Sequence, residues 1–401
     1  MKTPGLYVHI PFCVAKCAYC DFFSKPSDSS CLLDDDFVSA LLVELTDCKE
    51  GFGLSSWASV YIGGGTPSLL SCKQIERLLL FIQKQGLSSG AEITVEANPE
   101  TLTEAFLQTL DDCGVTRLSL GIQSMNDSAL QAVTRHCSAA QNEKALDMVQ
   151  RVWKKQLNLD CIAGLPKQDD MHFKSSLEKM LSYKPQHLSL YTLTLEEGTP
   201  LYEAVEKGSL VFSQESADRQ WLLGRELLLS AGFEQYEVSN FALKGFESFH
   251  NGLYWAQKDY VGVGPGSCGT IYDWEKKEAL RFTAGEDRSL WKNFWLTKNH
   301  SSKDIPQTVR AYERLDLQTL EFEFLMMGLR TVHGVSEKIY RQRFFELEPW
   351  KGNLFERLQA SSWWKKLCAE KKAEVRGSEG ERIFALNKEG LLLLNPLLRS
   401  L

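Results

Sequence analysis

The sequence predicts an α/β fold, in which a parallel sheet is wound into an open or partial barrel of six strand–helix units. A small C-terminal α+β domain of winged-helix type follows. Three observations carry this. Short β-rich runs at 6–10, 59–62, 92–97, 117–122, 157–160 and 187–194 alternate with helical patterns at 34–49, 73–85, 103–112 and 139–155. The runs alternate apolar and polar side chains, as strands with one face under helices do. After residue 194 the rhythm breaks, and the last ninety residues read as helices followed by two short strands. Six units are too few for a closed eight-unit barrel.

Taken in order, the strands say where chemistry gathers. In 92–97, Ile93 and Val95 share one face, and Thr94 and Glu96 the other. In 118–123, Leu118, Leu120 and Ile122 oppose Ser119, Gly121 and Gln123. In 157–160, Leu157 and Leu159 oppose Asn158 and Asp160. Polar residues thus stand at the C-terminal strand ends, where α/β barrels build their sites. Either Glu96, Gln123 and Asp160 converge on one pocket or each faces solvent. Helical stretches follow at 200–207 and 214–231, then a mixed, aromatic and Gly-rich segment at 233–274. The polar stretch 284–307 reads as a linker or cap. The division expected is a core at 1–235, an accessory segment at 236–310 and a C-terminal domain at 311–401.

Composition narrows the class. Hydrophobic residues make up 43% and charged residues 24% of 401, which excludes disordered, collagenous and coiled-coil chains. Lys and Arg number 45 against 52 Asp and Glu, a formal charge of −7, so no nucleic-acid partner is expected. No apolar run approaches the roughly 18 residues of a membrane span. The start, MKTPGLYVHIPFC, lacks the apolar region of a signal peptide. A cytoplasmic location is therefore expected. Eleven Cys is too sparse for a disulfide scaffold, and the question becomes which are ligands.

The sharpest signal is Cys13-Val-Ala-Lys-Cys17-Ala-Tyr-Cys20, directly after the first strand. Three thiols in eight residues suit an iron–sulfur cluster, whereas a structural zinc site usually takes four ligands in paired spacings. Cys31, beyond Pro26, is a poor fourth ligand. Three protein thiolates on a four-iron cluster leave one iron open. The glycines of Gly63-Gly-Gly-Thr-Pro-Ser68, after the second strand, either make a plain tight turn or let backbone N–H groups approach a ligand.

Tyr7-Val-His-Ile-Pro-Phe-Cys13 and the C-x3-C-x2-C that follows resemble the radical S-adenosylmethionine (radical SAM) superfamily. Within it they resemble the group holding oxygen-independent coproporphyrinogen III oxidase and its heme-chaperone relatives. Gly63–Ser68, Glu92-Ile-Thr-Val-Glu-Ala-Asn-Pro99, Leu118-Ser-Leu-Gly-Ile-Gln123 and Ile162-Ala-Gly-Leu-Pro-Lys-Gln168 resemble later segments of that group in the same order. The resemblance implies a 4Fe–4S cluster on Cys13, Cys17 and Cys20 whose open iron chelates SAM. Reduction of that cluster then allows a carbon–sulfur bond of SAM to break and a deoxyadenosyl radical to form. It implies that Tyr7, Gly64 and Glu96 touch this SAM, with Glu96 on the ribose. Tyr19, Gly65, Thr66, Gln123, Arg135 and Asp160 match positions around a second SAM. Arg135 is alternatively a surface helix charge.

Two functions compete under this resemblance: radical decarboxylation of coproporphyrinogen III, and heme binding with delivery to an acceptor protein. Three features favour delivery. The oxidase pattern has a further Cys where this chain has Phe22, and it has an extension ahead of its first strand where this chain has six residues before Tyr7. His250-Asn-Gly-Leu-Tyr254-Trp255 resembles a signature of the chaperone branch. His250 is then a candidate axial heme ligand, with Tyr254 and Trp255 against the porphyrin face; the alternative is a histidine hydrogen-bonded in a turn. His9, His136 or a Cys are the other candidate ligands. Relatives often carry His where this chain has Cys268 in its Gly-rich 262–269 loop. Heme and a heme-acceptor protein are the expected partners, with any membrane contact made peripherally through the acceptor.

Overall fold

The computed structural model describes residues 2–26, 34–297, 305–344 and 354–401. Cys31 lies outside the described residues.

All six expected strands form: β1 (Gly5–Ile10), β2 (Trp57–Gly64), β3 (Leu87–Ala97), β4 (Arg117–Gln123), β5 (Gln156–Ala163) and β6 (His187–Thr192). They pair in chain order, parallel throughout. Between them run α1 (Asp35–Gly51), α2 (Cys72–Gln85), α3 (Glu104–Asp112), α4 (Ala139–Val152) and α5 (Asp170–Ser182), and α6 (Gln214–Ser230) follows β6. The helix starts are written in the sequence. Asp34 accepts from the Phe37 N–H, and Ser71 with Gln74 and Ser138 with Gln141 form reciprocal capping boxes. β3 starts earlier than 92 because Gly86, at φ +105°, ends α2 and turns the chain straight into an extended run.

The outward side chains of β1, Leu6, Val8 and Ile10, are fully buried beneath the helices. The inward ones fall into lateral rows. Tyr7 pairs with Tyr61, Tyr61 with Thr94, and Thr94 with Arg117. Glu96, Ser119, Asn158 and His187 form a second row. The barrel interior is therefore polar.

The segment 233–274 extends the sheet at both edges. β7 (Glu234–Gln235) and β8 (Asn240–Ala242) add antiparallel beside β6. After α7 (Phe249–Trp255), β9 (Tyr260–Val263) runs parallel to β1. β10 (Cys268–Asp273), β11 (Glu278–Ala284) and β12 (Arg310–Leu315) continue antiparallel and complete a twelve-stranded sheet. The stretch expected as a linker at 284–307 contains α8 (Arg288–Leu296), which packs on α1. Its Trp291 and Trp295, four residues apart, are buried, and that helical spacing outweighs the polar composition.

The C-terminal domain runs α9 (Leu317–Gly328), β13 (Val335–Ser336), α10 (Glu337–Phe344), α11 (Leu354–Ala360), α12 (Ser362–Ala369), β14 (Ala373–Arg376) and β15 (Ile383–Leu386). Its sheet order is β13-β15-β14, and α10, α11 and α12 lie between β13 and β14 in the chain, where the sequence reading expected only two strands after the helices. Its own core includes Phe344, Phe355, Trp364 and Phe384. No helix among the described residues is long and apolar enough to cross a membrane.

Candidate active site

Cys13, Cys17 and Cys20 follow the C-terminal end of β1 and line one cavity of about 460 Å³. Gly64, Gly65, Glu96, Gln123, Arg135, Asp160 and Tyr19 line it too. The period-two reading of β3, β4 and β5 is thus realised, since the three strand-end residues do converge.

The loop of glycines is shaped by what crowds it. A Cβ on Gly64, at φ +103°, would lie 2.2 Å from His9 Nδ1, and one on Gly65 would lie 2.5 Å from the carbonyl oxygens of Ile10 and Phe12. Backbone therefore passes directly over the end of β1. His9 braces this junction from below. Its Nε2–H donates to the Phe23 carbonyl at 2.8 Å, and Nδ1 then accepts from the Tyr7 hydroxyl at 2.8 Å.

Glu96 sits against this loop. Tyr61 OH donates to Oε1 at 2.7 Å and the Gly64 N–H to Oε2 at 3.0 Å. Burial raises its pKa to about 7 against the opposing pull of those donors. Asp160 is likewise pushed up by burial, while Asn158 and Ser119 donate to it at 2.8 and 3.4 Å. Burial also raises the Cys20 thiol and the Tyr19 hydroxyl, which neighbours Cys17.

Arg135 is no surface charge. Its guanidinium donates to the Gly121 carbonyl at 2.6 Å and to Asn98 Oδ1 at 2.9 Å, and lies 3.6 Å from Cys17 Sγ. Gln123 is held at φ +66°, a left-handed conformation costly for a residue with a side chain, where β4 and β5 slip register. Tyr7 and Thr66 are the exceptions among the expected ligand contacts. Neither lines the cavity: Tyr7 bonds His9 behind Gly64, and Thr66 accepts from Asn98.

The residues fit a cluster and a small polar ligand. Gln123 Oε1 and Arg135 Nε are buried without a partner among the described residues, and both side chains line the cavity. The volume falls in the range of small-molecule sites, about 300–1,000 Å³. No three His, Cys, Asp or Glu among the described residues stand close enough to hold a single metal ion. A four-iron cluster does not require that, because its thiolates bind separate irons.

His250 is a correction. It is 1% exposed, and both ring nitrogens are taken, Nδ1 by Ser59 Oγ at 2.8 Å and Nε2 by Tyr254 OH at 2.7 Å. Burial lowers its pKa to about 3, so the ring is neutral, but no nitrogen is free for an axial bond. It does not line the cysteine cavity. Its backbone N–H donates to Glu92 at the start of the sheet, away from the strand ends. Cys268 lies on β10, with Thr283 Oγ1 at 3.8 Å from its sulfur.

Sequence reasoning did not single out Tyr61, Asn98 or Tyr191. Tyr61 shares the inward row of Tyr7, and Asn98 ends the quoted 92–99 motif, so both had a signal. Tyr191 lines the cavity too, following His187 and Ser189 on the inward face of β6 at the same period of two.

Fold and site together define a class of protein: a partial parallel barrel whose mouth carries a three-thiol loop, a glycine loop and buried carboxylates. Residues 7–180 match the model of the Radical SAM superfamily. The chain is 36% identical to "Heme chaperone HemW" of Lactococcus lactis, over 86% of each chain. It is 35% identical to the bovine (Bos taurus) "Radical S-adenosyl methionine domain-containing protein 1, mitochondrial", over 87% of this chain and 78% of that one. Among solved structures, coproporphyrinogen III oxidase (HemN) from Escherichia coli superposes with a TM-score of 0.76, covering 100% of this chain and 90% of that one at 19% identity, a likeness of fold. The chain belongs to the radical SAM superfamily and, within it, to the family of the HemW relatives.

Proposed function

We propose that this protein binds heme and passes it to an acceptor protein, carrying a 4Fe–4S cluster and SAM at the barrel mouth. The observation that carries this reading is the reach of the likeness to a protein named heme chaperone. It spans 347 residues, well beyond the superfamily match at 7–180.

In this reading Cys13, Cys17 and Cys20 hold the cluster, and its remaining iron supplies a site for the amino and carboxylate groups of SAM. Gly64 offers backbone at close approach, and Glu96 accepts hydrogen bonds from the ribose. Tyr7 acts at one remove, by fixing the His9 ring under Gly64. Tyr19, Gly65, Gln123, Arg135 and Asp160 line the same cavity and in this reading would contact a second SAM, with Thr66 acting at one remove through Asn98. Phe22, 73% exposed, stands where the oxidase pattern has a further cysteine. We propose that the protein works in the cytoplasm, and cell fractionation tests it. We propose that any membrane contact is made through the acceptor; fractionation with and without the acceptor tests it.

Anaerobically purified protein should show cluster absorbance that a Cys13→Ala/Cys17→Ala/Cys20→Ala variant lacks. Heme titration should give a saturable Soret shift, and no binding at micromolar heme rejects the reading. Incubation with coproporphyrinogen III, SAM and a reductant should yield no protoporphyrinogen IX; efficient turnover makes the protein an oxidase instead.

A further inference from the structure

We infer that the axial ligand for heme is His333, in a groove between α7 and the C-terminal domain; this rests on the heme-binding function proposed above. The histidines sort themselves by what their rings already bond. His9, His187 and His250 have both nitrogens engaged within the protein. His172 is exposed and pairs with Asp169. His136 is exposed on the loop before α4, and His300 lies outside the described residues. His333 is exposed, makes no hydrogen bond to another described residue, and lines a cavity of about 190 Å³.

The rest of that cavity suits a flat, largely apolar metal chelate. Trp255 forms one wall. Its indole N–H is buried and has no partner among the described residues, a donor left for a ligand. Gly252, one turn earlier on α7, also lines the groove, and a Cβ there would meet nothing within 4 Å. The floor beside the indole is therefore open. Tyr236 and Ser248 complete the inner side, and Glu247 is the carboxylate among the lining residues, so propionates would turn outward to water. Backbone ties the segment that carries His333 to the loop between β7 and β8. The Val332 N–H donates to the Tyr236 carbonyl at 3.1 Å, and Glu237 bridges Thr331.

Neutral imidazole is a standard axial ligand, and an indole beside it supplies a face for the ring. The groove is smaller than sites that enclose a ligand, about 300–1,000 Å³. It would cover only part of the macrocycle and leave the rest exposed, which suits a donor that must release heme.

The test is heme titration of the full-length protein followed by Soret and electron paramagnetic resonance spectra. His333→Ala should lose the imidazole-ligated signature and bind hemin at least about tenfold more weakly. Gly252→Leu, whose Cβ would meet nothing within 4 Å and which favours the helix, should weaken binding while keeping the cluster absorbance. His136→Ala should change nothing. If the wild type binds heme and His333→Ala keeps both its spectrum and its affinity, the ligand assignment is overturned while the function stands. If the wild type itself does not bind, it is the function that fails.

Discussion

At the scale of the residue, the carboxyl group of Glu96 has lost its water and found two donors. Its pKa of about 7 stands above the ordinary value of about 4.3 because burial outweighs Tyr61 and the Gly64 N–H. Between those two values the folded state holds a proton that the unfolded state has released. This group's contribution to stability is therefore greatest below about pH 4.3 and falls as pH rises to 7. Glu96→Gln removes that fall. In SAM-free protein, the stability of the variant relative to wild type should rise by up to about 3 kcal/mol between pH 4.5 and 8. Urea midpoints across that range check it, and a flat difference would contradict the assignment. Gly64→Ala should cost about 2 kcal/mol or more, since φ +103° and a contact of 2.2 Å to His9 leave a methyl nowhere to go. Equilibrium unfolding measures it.

At the scale of the element, the Gly-rich turn after β9 is held from behind by a buried ion pair. Arg310 on β12 donates to Glu44 Oε1 and Asp47 Oδ2 on α1, each at 3.0 Å. The other oxygen of Glu44 accepts from the Gly264 N–H at 2.7 Å and from Trp291 Nε1 at 3.1 Å. A Cβ on Gly264 would in turn touch the His9 carbonyl at 2.4 Å. One carboxylate thus joins α1, α8, β12 and the turn beneath the cluster loop. Removing one partner leaves a charge buried alone, so Arg310→Met should destabilise by roughly 3–5 kcal/mol. Pairing it with Glu44→Gln should recover part of that loss. A double-mutant cycle in urea gives both values. The strands and helices were legible in the sequence because each carries its own period and caps. This pair was not, because Glu44 and Arg310 look like ordinary surface charges until β12 lies across α1.

At the scale of the whole molecule, the C-terminal domain is tied to the sheet through side chains as well as backbone. Trp274 stacks on Tyr272 at 5.2 Å and lies 4.2 Å from the Arg343 guanidinium. Gln257 donates to the Leu320 carbonyl at 3.0 Å. Trp274→Ala should cost roughly 3 kcal/mol and uncouple the domains, so calorimetry should show two transitions where the wild type shows one. Retention of a single transition would mean that the backbone bonds to Tyr236 suffice. Within the barrel, hydrogen bonds run unbroken from Asp160 through Asn158, His187 and Tyr236 to Ser248, joining the mouth to the groove that holds His333.

The sequence by itself determined the strand–helix order, the three thiols in one loop and the inward set of Glu96, Gln123 and Asp160. These depend on neighbours a few residues apart, and such spacing is fixed by backbone geometry. It also supplied enough motif to name a family. Tertiary structure alone decided what depends on distant partners. Arg135 was drawn inside against Asn98 and Gly121, and Tyr7 was set behind the glycine loop. His250 was closed off by Ser59 and Tyr254, while His333 was left free. Whether a histidine can bind a metal is settled by what already occupies its two nitrogens, and those occupants come from strands far away in the chain.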